Sequence, residues 1–368
     1  PDTPPAPTAD PEEPGPAPAG PGAGPPAPPH PDRAPASPVR PVERTPPAAG
    51  QPAAAGGPHR VWLKGLAREV PALGFGCASL GSRVAPEAGI AALRAAHAAG
   101  VRWFDLAPAY GGGAAEALFA RAGLPREDLV LVTKVGLAPP APSPLKRLLL
   151  PAARQAVALA GPVRALIRRS GATGNRPVPL TPELLRSSLE ASLTRLGTDH
   201  VDVYALHNAD PADLGRAEIL RTLEDLKATG KARAIAVAGG EDAARAAIAR
   251  GAPLDVIQCA VPETGALAED AAQAGLGAVF HSVFGVAGAR DALAARLARD
   301  ADLRARLEAL GLSGSAGVLA ARALLARARA LNPDGVILAS MFSERSLAEN
   351  LAASAGPPDP RFALIEGL

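Results

Sequence analysis

Apolar and polar residues follow two different rhythms along the chain from residue 60 onward. Apolar runs of about four to eight residues predict β-strands, and longer stretches with apolar residues every three or four positions predict α-helices. The run at 129–135 is almost continuously apolar, which is typical of a parallel strand covered on both faces. Further strands are predicted at about 72–76, 101–106, 201–206, 232–237, 254–260, 276–283 and 335–339.

A helix is predicted to follow each of these strands. The end signals are clearest in one helix, because Thr181 can cap its N-terminus, Pro182 suits its first turn and Gly197 can end it. The other helices are predicted at about 86–99, 114–122, 216–229, 241–250, 264–274, 316–329 and 344–353, with an additional amphipathic helix over 288–310. Before these units, two short strands around a turn at Lys64 and Gly65 predict a β-hairpin.

Eight strands that each precede a helix predict a (β/α)8 barrel, a TIM barrel, with its active site at the C-terminal ends of the strands. A doubly wound α/β sheet is the alternative. It is disfavoured because Gly74-Phe75-Gly76 does not continue as the glycine-rich fingerprint of dinucleotide-binding sheets. We therefore expect one barrel domain over 59–368.

The first 58 residues differ in composition from the rest of the chain. They hold about half of the 41 prolines and almost no branched or aromatic residues. Such a segment cannot bury enough apolar surface to offset its chain entropy. We predict a disordered Pro/Ala-rich tail over 1–58, which is either low-complexity filler or a polyproline docking segment.

Charge and cysteine content exclude several classes of function. A formal net charge of +2 over 368 residues gives no electrostatic reason to expect nucleic acid or an anionic membrane as a partner. Cys77 and Cys259 have no metal-binding or redox spacing, so we predict two buried, unpaired cysteines and no metal site. No apolar run reaches the roughly 18 residues of a membrane span, and the tail lacks the apolar segment of a signal peptide, so we expect a soluble cytoplasmic protein.

The alternation of strands and helices is interrupted between about 136 and 180. This stretch is rich in proline, arginine and leucine, and it is too long for an ordinary loop between a strand and a helix. It leaves the barrel at the face where substrates bind. Two interpretations stay open: a partly helical lid that is apolar inside and basic outside, or an insertion without a functional role.

Four polar residues fall at the C-terminal ends of consecutive predicted strands. Asp105 ends the second strand with Tyr110 in the loop that follows, Lys134 ends the third, and His207 comes directly after the fourth. Each residue alone has a plain structural explanation. A buried acid needs a partner, however, and four such residues on the catalytic face of one barrel favour an active site.

The motifs around these four residues resemble the aldo-keto reductase family, over about residues 73 to 350. The resemblance rests on WFDLAPAYG at 103–111, TKVG at 133–136, LRSSLE at 185–190, LGTDHVDVYALH at 196–207, LKATGK at 226–231, Gln258 and the closing Glu349-Asn350. It implies an NAD(P)-dependent oxidoreductase that transfers a hydride between nicotinamide and an aldehyde, ketone or sugar. The sugar-lactone-forming and pyridoxal-type dehydrogenases are the branch of the family that it suggests.

The resemblance also implies a role for each of the four residues. Hydride addition to a carbonyl leaves an alkoxide, and Tyr110 would donate the proton that it needs. A free tyrosine, with a pKa of about 10, is a weak acid at neutral pH, so the Lys134 ammonium would stabilise its phenolate. Asp105 would hold Lys134 in place, and His207 would orient the substrate carbonyl by donating a hydrogen bond.

The cofactor residues implied by the resemblance match less completely. Gln258 is kept to bind the nicotinamide amide, but the Ser-Asn pair usual at the fifth strand is replaced by Ala238-Gly239. The implied contacts on the seventh and eighth strands are His281 on the nicotinamide ring, Ser282 at the pyrophosphate, Ser340 beside the cofactor, Arg345 at the 2′-phosphate, and Glu349 with Asn350 at the adenine. Arg345 favours NADP, Glu344 beside it opposes a phosphate, and NAD stays open.

A second interpretation is a barrel that binds nucleotide as a regulatory or interaction module, as channel-associated members of the family do. The changed nicotinamide pocket and the proline-rich tail favour it. The four retained residues oppose it, because an unused buried Lys and Asp pair would destabilise the fold.

Overall fold

The structure is a computed structural model and describes residues 58–139, 174–285 and 288–365. Within these residues, eight parallel strands close into one barrel, each hydrogen-bonded to the next barrel strand along the chain and the last to the first. Helices follow every barrel strand and form the outer layer. The predicted (β/α)8 barrel is therefore confirmed.

The elements are numbered in chain order. The strands are β1 (Arg60–Leu63), β2 (Arg68–Pro71), β3 (Leu73–Gly76), β4 (Trp103–Asp105), β5 (Val130–Val135), β6 (Leu137–Ala138), β7 (Arg176–Pro177), β8 (Val201–His207), β9 (Ala232–Gly239), β10 (Val256–Ala260), β11 (Gly277–His281) and β12 (Val336–Ala339). The α-helices are α1 (Pro86–Ala98), α2 (Ala115–Arg121), α3 (Pro182–Leu196), α4 (Ala217–Ala228), α5 (Glu241–Ala249), α6 (Ala266–Gln273), α7 (Ala289–Leu297), α8 (Ala301–Ala309), α9 (Ala316–Leu331) and α10 (Glu344–Ser354). The barrel consists of β3, β4, β5 and β8 to β12.

Side chains on the two faces of the barrel strands form two separate hydrophobic clusters. Small and branched residues such as Val203 and Ala236 fill the interior together with Trp103. The opposite face of each strand packs against the helices, where Phe104 and Leu131 belong to the larger cluster. Burial on both faces explains why the strand segments of the sequence are almost continuously apolar.

The N-terminal hairpin is confirmed, but its turn differs from the prediction. The turn includes Lys64 and Gly65, as predicted, but it extends over Lys64–Leu66 to the left-handed residue Ala67, with φ of 47°. Gly65 is needed for close packing, because a Cβ atom there would lie 1.7 Å from the carbonyl oxygen of Asp255. Val61 and Leu63 belong to the interior cluster of the barrel, so the hairpin closes the N-terminal end of the barrel.

Two helices, α7 and α8, replace the single amphipathic helix predicted over 288–310. Asp300 separates them because its side chain accepts a 2.9 Å hydrogen bond from the backbone nitrogen of Leu303 and caps α8. Leu297, Leu303 and Leu307 are buried in one cluster against α9. The leucine spacing therefore identified the buried face correctly but missed the break.

Several predictions fall partly or wholly on other residues. The tail over 1–58 and most of the stretch interpreted as a lid lie outside the described residues, so the domain boundary stays a prediction. The described ends of that stretch pair antiparallel as β6 and β7, with Leu137 opposite Pro177. Cys77 and Cys259 are buried and unpaired, as predicted. Of the helices described, none is long and apolar enough to cross a membrane, and the cytoplasmic location stays a prediction.

Candidate active site

A cavity of about 480 Å³ opens at the C-terminal ends of the barrel strands. All four predicted catalytic residues line it, namely Asp105, Tyr110, Lys134 and His207. Four of the predicted cofactor residues also line it: Gln258, His281, Ser282 and Ser340. The fold therefore brings these eight residues together on the face where barrel enzymes carry out their chemistry.

Lys134 is the centre of the polar contacts in this cavity. It lies in β5, whose six residues are all buried, and its side chain is 1% exposed. Its Nζ atom donates hydrogen bonds to Asp105 Oδ2 at 2.7 Å, to the carbonyl oxygen of Leu106 at 2.9 Å and to Tyr110 OH at 3.3 Å. Burial lowers the pKa of Lys134, but the charge of Asp105 and the hydroxyl of Tyr110 outweigh burial and bring this pKa above 10.5. The ammonium is therefore charged at neutral pH.

Tyr110 begins a 3-10 turn, Tyr110–Gly113, in the loop after β4. Gly111 has φ of 62°, and a Cβ atom there would lie 2.2 Å from the carbonyl oxygen of Leu80, so the turn needs glycine. Burial raises the pKa of Tyr110 above 10.0, and the Lys134 ammonium only partly offsets burial. The hydroxyl therefore carries its proton at neutral pH.

His207 is the last residue of β8 and lies opposite Ala238 on β9. Its ring meets the Tyr110 ring edge-on, with 5.7 Å between the ring centroids. Burial, aided by the charge of Lys134 and by His281, lowers the pKa of His207 to about 3. The imidazole is therefore neutral at physiological pH and can donate one hydrogen bond to a ligand.

Asp105 has a second partner that the sequence did not indicate. Gln258 is 4% exposed, and its Nε2 atom donates a 3.1 Å hydrogen bond to Asp105 Oδ1. Asp105 therefore receives one donor on each carboxylate oxygen, from Gln258 and from Lys134. Gln258, predicted to bind nicotinamide, therefore contacts the predicted catalytic pair of Asp105 and Lys134.

The cavity wall formed by the ends of β9 and β11 has no polar side chain at Ala238, and it contains Ser282, a residue with a strained backbone conformation. Ala238 lines the cavity without any side-chain donor or acceptor. His281 Nδ1 and Ser282 Oγ share a hydrogen bond of 2.9 Å, and Ser282 has φ of 59°, a backbone conformation that non-glycine residues rarely adopt. Burial lowers the pKa of His281, so its ring is neutral at physiological pH and suited to stacking.

The other three predicted cofactor residues lie on α10, and they do not line the cavity. Arg345 Nε donates to Glu349 Oε1 at 2.9 Å, so these two predicted groups pair with each other along the helix. Asn350 is 6% exposed, and its Nδ2 atom is buried without a hydrogen-bond partner among the described residues. A buried donor without a partner is unfavourable, and an acceptor nitrogen of an adenine ring would satisfy it.

Sequence reasoning missed further residues that line the cavity, among them Arg83, Asn208 and Phe284. Asn208 follows His207 directly and has φ of 53°, which asparagine tolerates better than most residues. Its position beside His207 was a usable signal. Arg83 and Phe284 come from the loops after β3 and after β11, and only the closed barrel places these loops at one cavity.

This arrangement can give a proton to an oxygen atom bound beside it. A protonated tyrosine hydroxyl contacts a permanent ammonium, and a neutral imidazole lies next to the tyrosine ring. A ligand oxygen that meets Tyr110 and His207 would receive two hydrogen bonds and one transferable proton. In the parts of the chain that the structure describes, no group of histidine, cysteine and acidic side chains could hold a metal ion.

Comparison with known proteins places these features in a family. The model of the aldo/keto reductase family matches residues 72–280. The D-threo-aldose 1-dehydrogenase of a Pseudomonas species is 33% identical over 230 residues, which are 57% of this chain and 60% of that protein. The NADH-specific methylglyoxal reductase of Escherichia coli is 31% identical over 153 residues, which are 39% of this chain and 38% of that protein. The chain thus spans less than two thirds of the length of these curated relatives.

Solved structures share the fold at lower sequence identity. An aldo-keto reductase from Klebsiella pneumoniae in complex with NADPH has a TM-score of 0.57 and 24% identity, covering 83% of this chain and 92% of its own. The holo form of an aldo-keto reductase from Bacillus halodurans has a TM-score of 0.59 and 20% identity, covering 83% of this chain and 95% of its own. Since the family model matches more than half of the chain, the chain belongs to the aldo/keto reductase family.

Proposed function

We propose that the chain is an NADP(H)-dependent oxidoreductase that interconverts the carbonyl and alcohol forms of a small substrate. One observation carries this proposal: Lys134 Nζ lies 2.7 Å from Asp105 Oδ2 and 3.3 Å from Tyr110 OH within the cavity. A buried ion pair contributes little net stability to a fold. An ammonium beside a tyrosine hydroxyl, however, stabilises the phenolate that forms when the tyrosine gives up its proton.

Tyr110 is the proton donor in the reductive direction. The carbonyl oxygen takes the hydroxyl proton as negative charge develops on it, and the charge left on the tyrosine oxygen is stabilised by the Lys134 ammonium. His207, which is neutral, donates a hydrogen bond to the same substrate oxygen and holds it in place. In the oxidative direction the Tyr110 phenolate, stabilised by Lys134, accepts the proton of the alcohol and becomes the hydroxyl again.

Asp105 and Gln258 are positioning residues in this scheme. Asp105 holds the Lys134 ammonium at 2.7 Å, and Gln258 fixes the other carboxylate oxygen at 3.1 Å. Both side chains are buried, so the contacts are shielded from solvent. A rigid Lys134 keeps its charge at a fixed distance from the Tyr110 oxygen throughout the reaction.

The residues of the cavity fit a nicotinamide dinucleotide. When bound, the cofactor supplies the hydride for reduction or accepts it for oxidation. The amide oxygen of Gln258 is the group that would bind the carboxamide, and His281 would stack on the nicotinamide ring. Ser282 and Ser340 would contact the pyrophosphate side, and the unpartnered Nδ2 of Asn350 fits an adenine acceptor.

NADP is the proposed form of the cofactor because Arg345 is an exposed cation beside Glu349 and Asn350. Its guanidinium would have to leave Glu349 to bind a 2′-phosphate, and exposed ion pairs of this kind contribute only about 0.3–0.5 kcal/mol. The relatives differ in their cofactor, since one solved structure contains NADPH and one curated relative is NADH-specific. Thermal stabilisation by NADP(H) against NAD(H) measures the preference directly.

The proposed substrates are small aldehydes and aldose sugars, in keeping with the names of the two curated relatives. Oxidation of NADPH in the presence of methylglyoxal, glyceraldehyde and aldoses, and reduction of NADP+ by aldoses, test this proposal. We expect turnover with at least one of these compounds. Turnover with none of them, in a protein that is stabilised by NADPH, would refute the proposed activity.

A second candidate function is nucleotide binding without catalysis. The observation that favours it is Ala238-Gly239 at the end of β9, which offers no side-chain hydrogen bond to a carboxamide. Stabilisation by the cofactor without turnover would support this candidate. The contacts of Lys134 favour the catalytic proposal, because a binding module has no use for a buried ammonium at a tyrosine hydroxyl.

A further inference from the structure

Arg83 is a cation at the cavity and has no charged partner among the described residues. It lies in the loop between β3 and α1, it is exposed, and it lines the same cavity as Tyr110 and Lys134. Within the described part of the chain, its guanidinium makes no hydrogen bond and no ion pair. Other arginines in described loops have acidic partners, as Arg216 has in Asp213 and Glu218.

The charges of the other cavity residues do not balance Arg83. The Asp105 carboxylate and the Lys134 ammonium neutralise each other at 2.7 Å. Burial lowers the pKa values of His207 and His281, so both imidazoles are neutral at physiological pH. The described residues of the lining therefore carry one net positive charge, and that charge is on Arg83.

Several acidic residues of other loops on this face of the barrel are already paired or hydrogen-bonded. In the loop after β8, the Asp210 carboxylate accepts a hydrogen bond from the backbone of Ala212, and Asp213 pairs with Arg216. At the start of α5, Glu241 pairs with Arg245. These carboxylates have local partners of their own.

Sequence composition adds to the same imbalance. No aspartate or glutamate occurs between Asp128 and Glu183, the stretch that includes β5 and the chain that follows it. The loop from 77 to 85, which carries Arg83, also has no acidic residue. An unpaired guanidinium in a concave site is a preformed binding group for a carboxylate or a phosphate, which it can engage through two parallel hydrogen bonds.

We propose that Arg83 binds a carboxylate or phosphate group on the substrate. The preferred substrates are then anionic aldehydes, including sugar phosphates, and in the oxidative direction the corresponding hydroxy acids. This inference rests on the proposed carbonyl reductase function and deepens it. A substrate of this class spans the cavity, with its carbonyl oxygen at Tyr110 and His207 and its anionic group at Arg83. Arg83 thereby selects among aldehydes that the proton-donating residues would treat alike.

The test compares matched charged and neutral aldehydes in the full-length protein. The pairs are succinic semialdehyde with butanal, and glyceraldehyde 3-phosphate with glyceraldehyde. The readout is the ratio of kcat/KM for the charged aldehyde to kcat/KM for the neutral one. In Arg83→Gln we expect this ratio to fall roughly tenfold, the size expected for loss of one charged hydrogen-bonded pair.

A matched control is Arg306→Gln. Arg306 is an exposed arginine on α8 that does not line the cavity, so its replacement changes the net charge equally. We expect wild-type ratios in this variant. The proposal is overturned if Arg83→Gln leaves the ratio unchanged, if both variants lower it equally, or if the loss in Arg83→Gln is confined to a higher Kd for NADPH, which would assign the arginine to a cofactor phosphate.

A binding measurement separates failure of this inference from failure of the proposed activity. Thermal stabilisation by succinate and by butanamide is compared in the wild type, Arg83→Gln and Arg306→Gln. Stabilisation by succinate that only Arg83→Gln loses supports the anion site even in a protein that reduces no aldehyde. Equal responses in all three proteins overturn the anion site, whether or not aldehydes are reduced.

Discussion

The buried pair of Asp105 and Lys134 allows the sharpest test of what the site is for. Their side chains are 5% and 1% exposed, and Lys134 makes three hydrogen bonds. Lys134→Met leaves the carboxylate buried with Gln258 as its one remaining side-chain donor. Asp105→Asn leaves the ammonium buried with only neutral acceptors. Each single variant should therefore lose about 3–5 kcal/mol of unfolding free energy, the usual result of stranding one buried charge.

The double variant with both substitutions separates stability from function. Asparagine and methionine at these positions carry no charge, so the cost of an unpaired charge disappears. We expect the double variant to be more stable than either single variant and to come within about 2 kcal/mol of the wild type, because neutral replacement of a buried ion pair is often neutral or stabilising. All three variants should lose most of their aldehyde reduction.

Urea unfolding at neutral pH, with the slope compared between variants, supplies the four free energies. The charge on Lys134 does not change in this range, because Asp105 and Tyr110 outweigh burial and keep its pKa above 10.5. Additive losses, with a double variant less stable than both single variants, would refute the reasoning. Such a result would mean that the pair stabilises the barrel, and its presence would then say nothing about catalysis.

Two further outcomes follow from the geometry of the site. Burial lowers the pKa of His207 from 6.5 to about 3, so the unfolded chain gains a proton below about pH 6.5 that the folded protein does not take up. The wild type should therefore lose about 2 kcal/mol more than His207→Gln between about pH 7.5 and about pH 5, and equal losses in urea unfolding would contradict this. Gly111→Ala places a Cβ atom 2.2 Å from Leu80 O, whereas the Cβ atom of Gly112→Ala meets nothing within 4 Å, although both glycines have positive φ. Gly112→Ala should cost about 1 kcal/mol in unfolding free energy, and Gly111→Ala should cost more and also lower kcat; equal effects on kcat would contradict the positioning of Tyr110 by this turn.

The barrel was predictable because its local signals agree with its global pattern. Thr181 caps α3 by accepting a 3.1 Å hydrogen bond from the backbone nitrogen of Leu184, and Gly197 ends the helix with φ of 67°. The apolar strand segments are buried on both faces, as continuous apolar runs require. Where one local rule decides the position of a helix end or a strand, the sequence alone predicts that position correctly.

The two fold details that differ depend on long-range packing or on competing local signals. Gly65 correctly indicated the turn of the hairpin but not its extension to Ala67, and a contact with Asp255, distant in sequence, requires the lack of a side chain at Gly65. The leucine spacing over 288–310 suggested one helix, but the Asp300 cap divides it. A glycine and an aspartate each have more than one structural use, and only the folded chain selects among them.

The candidate site was predictable where a buried charge demanded a partner. Asp105 at the end of a buried strand required a cation, and Lys134 at the end of the next strand supplied it. The hydrogen bond from Gln258 and the cavity position of Arg83 join residues that are distant in the chain. Neither follows from spacing, because the angle at which each side chain leaves its strand or loop depends on the closed barrel.

The most direct test of the proposed chemistry is the rate of hydride transfer to an aldehyde in Tyr110→Phe. This substitution removes one hydroxyl and keeps the ring that meets His207 at 5.7 Å between centroids. We expect the single-turnover rate of NADPH oxidation to fall by a factor of about 10² to 10⁴, the range for loss of a general acid, while the Kd for NADPH stays within about twofold of the wild type. A folded, cofactor-binding Tyr110→Phe protein that reduces aldehydes at the native rate would contradict the assignment of Tyr110 as proton donor.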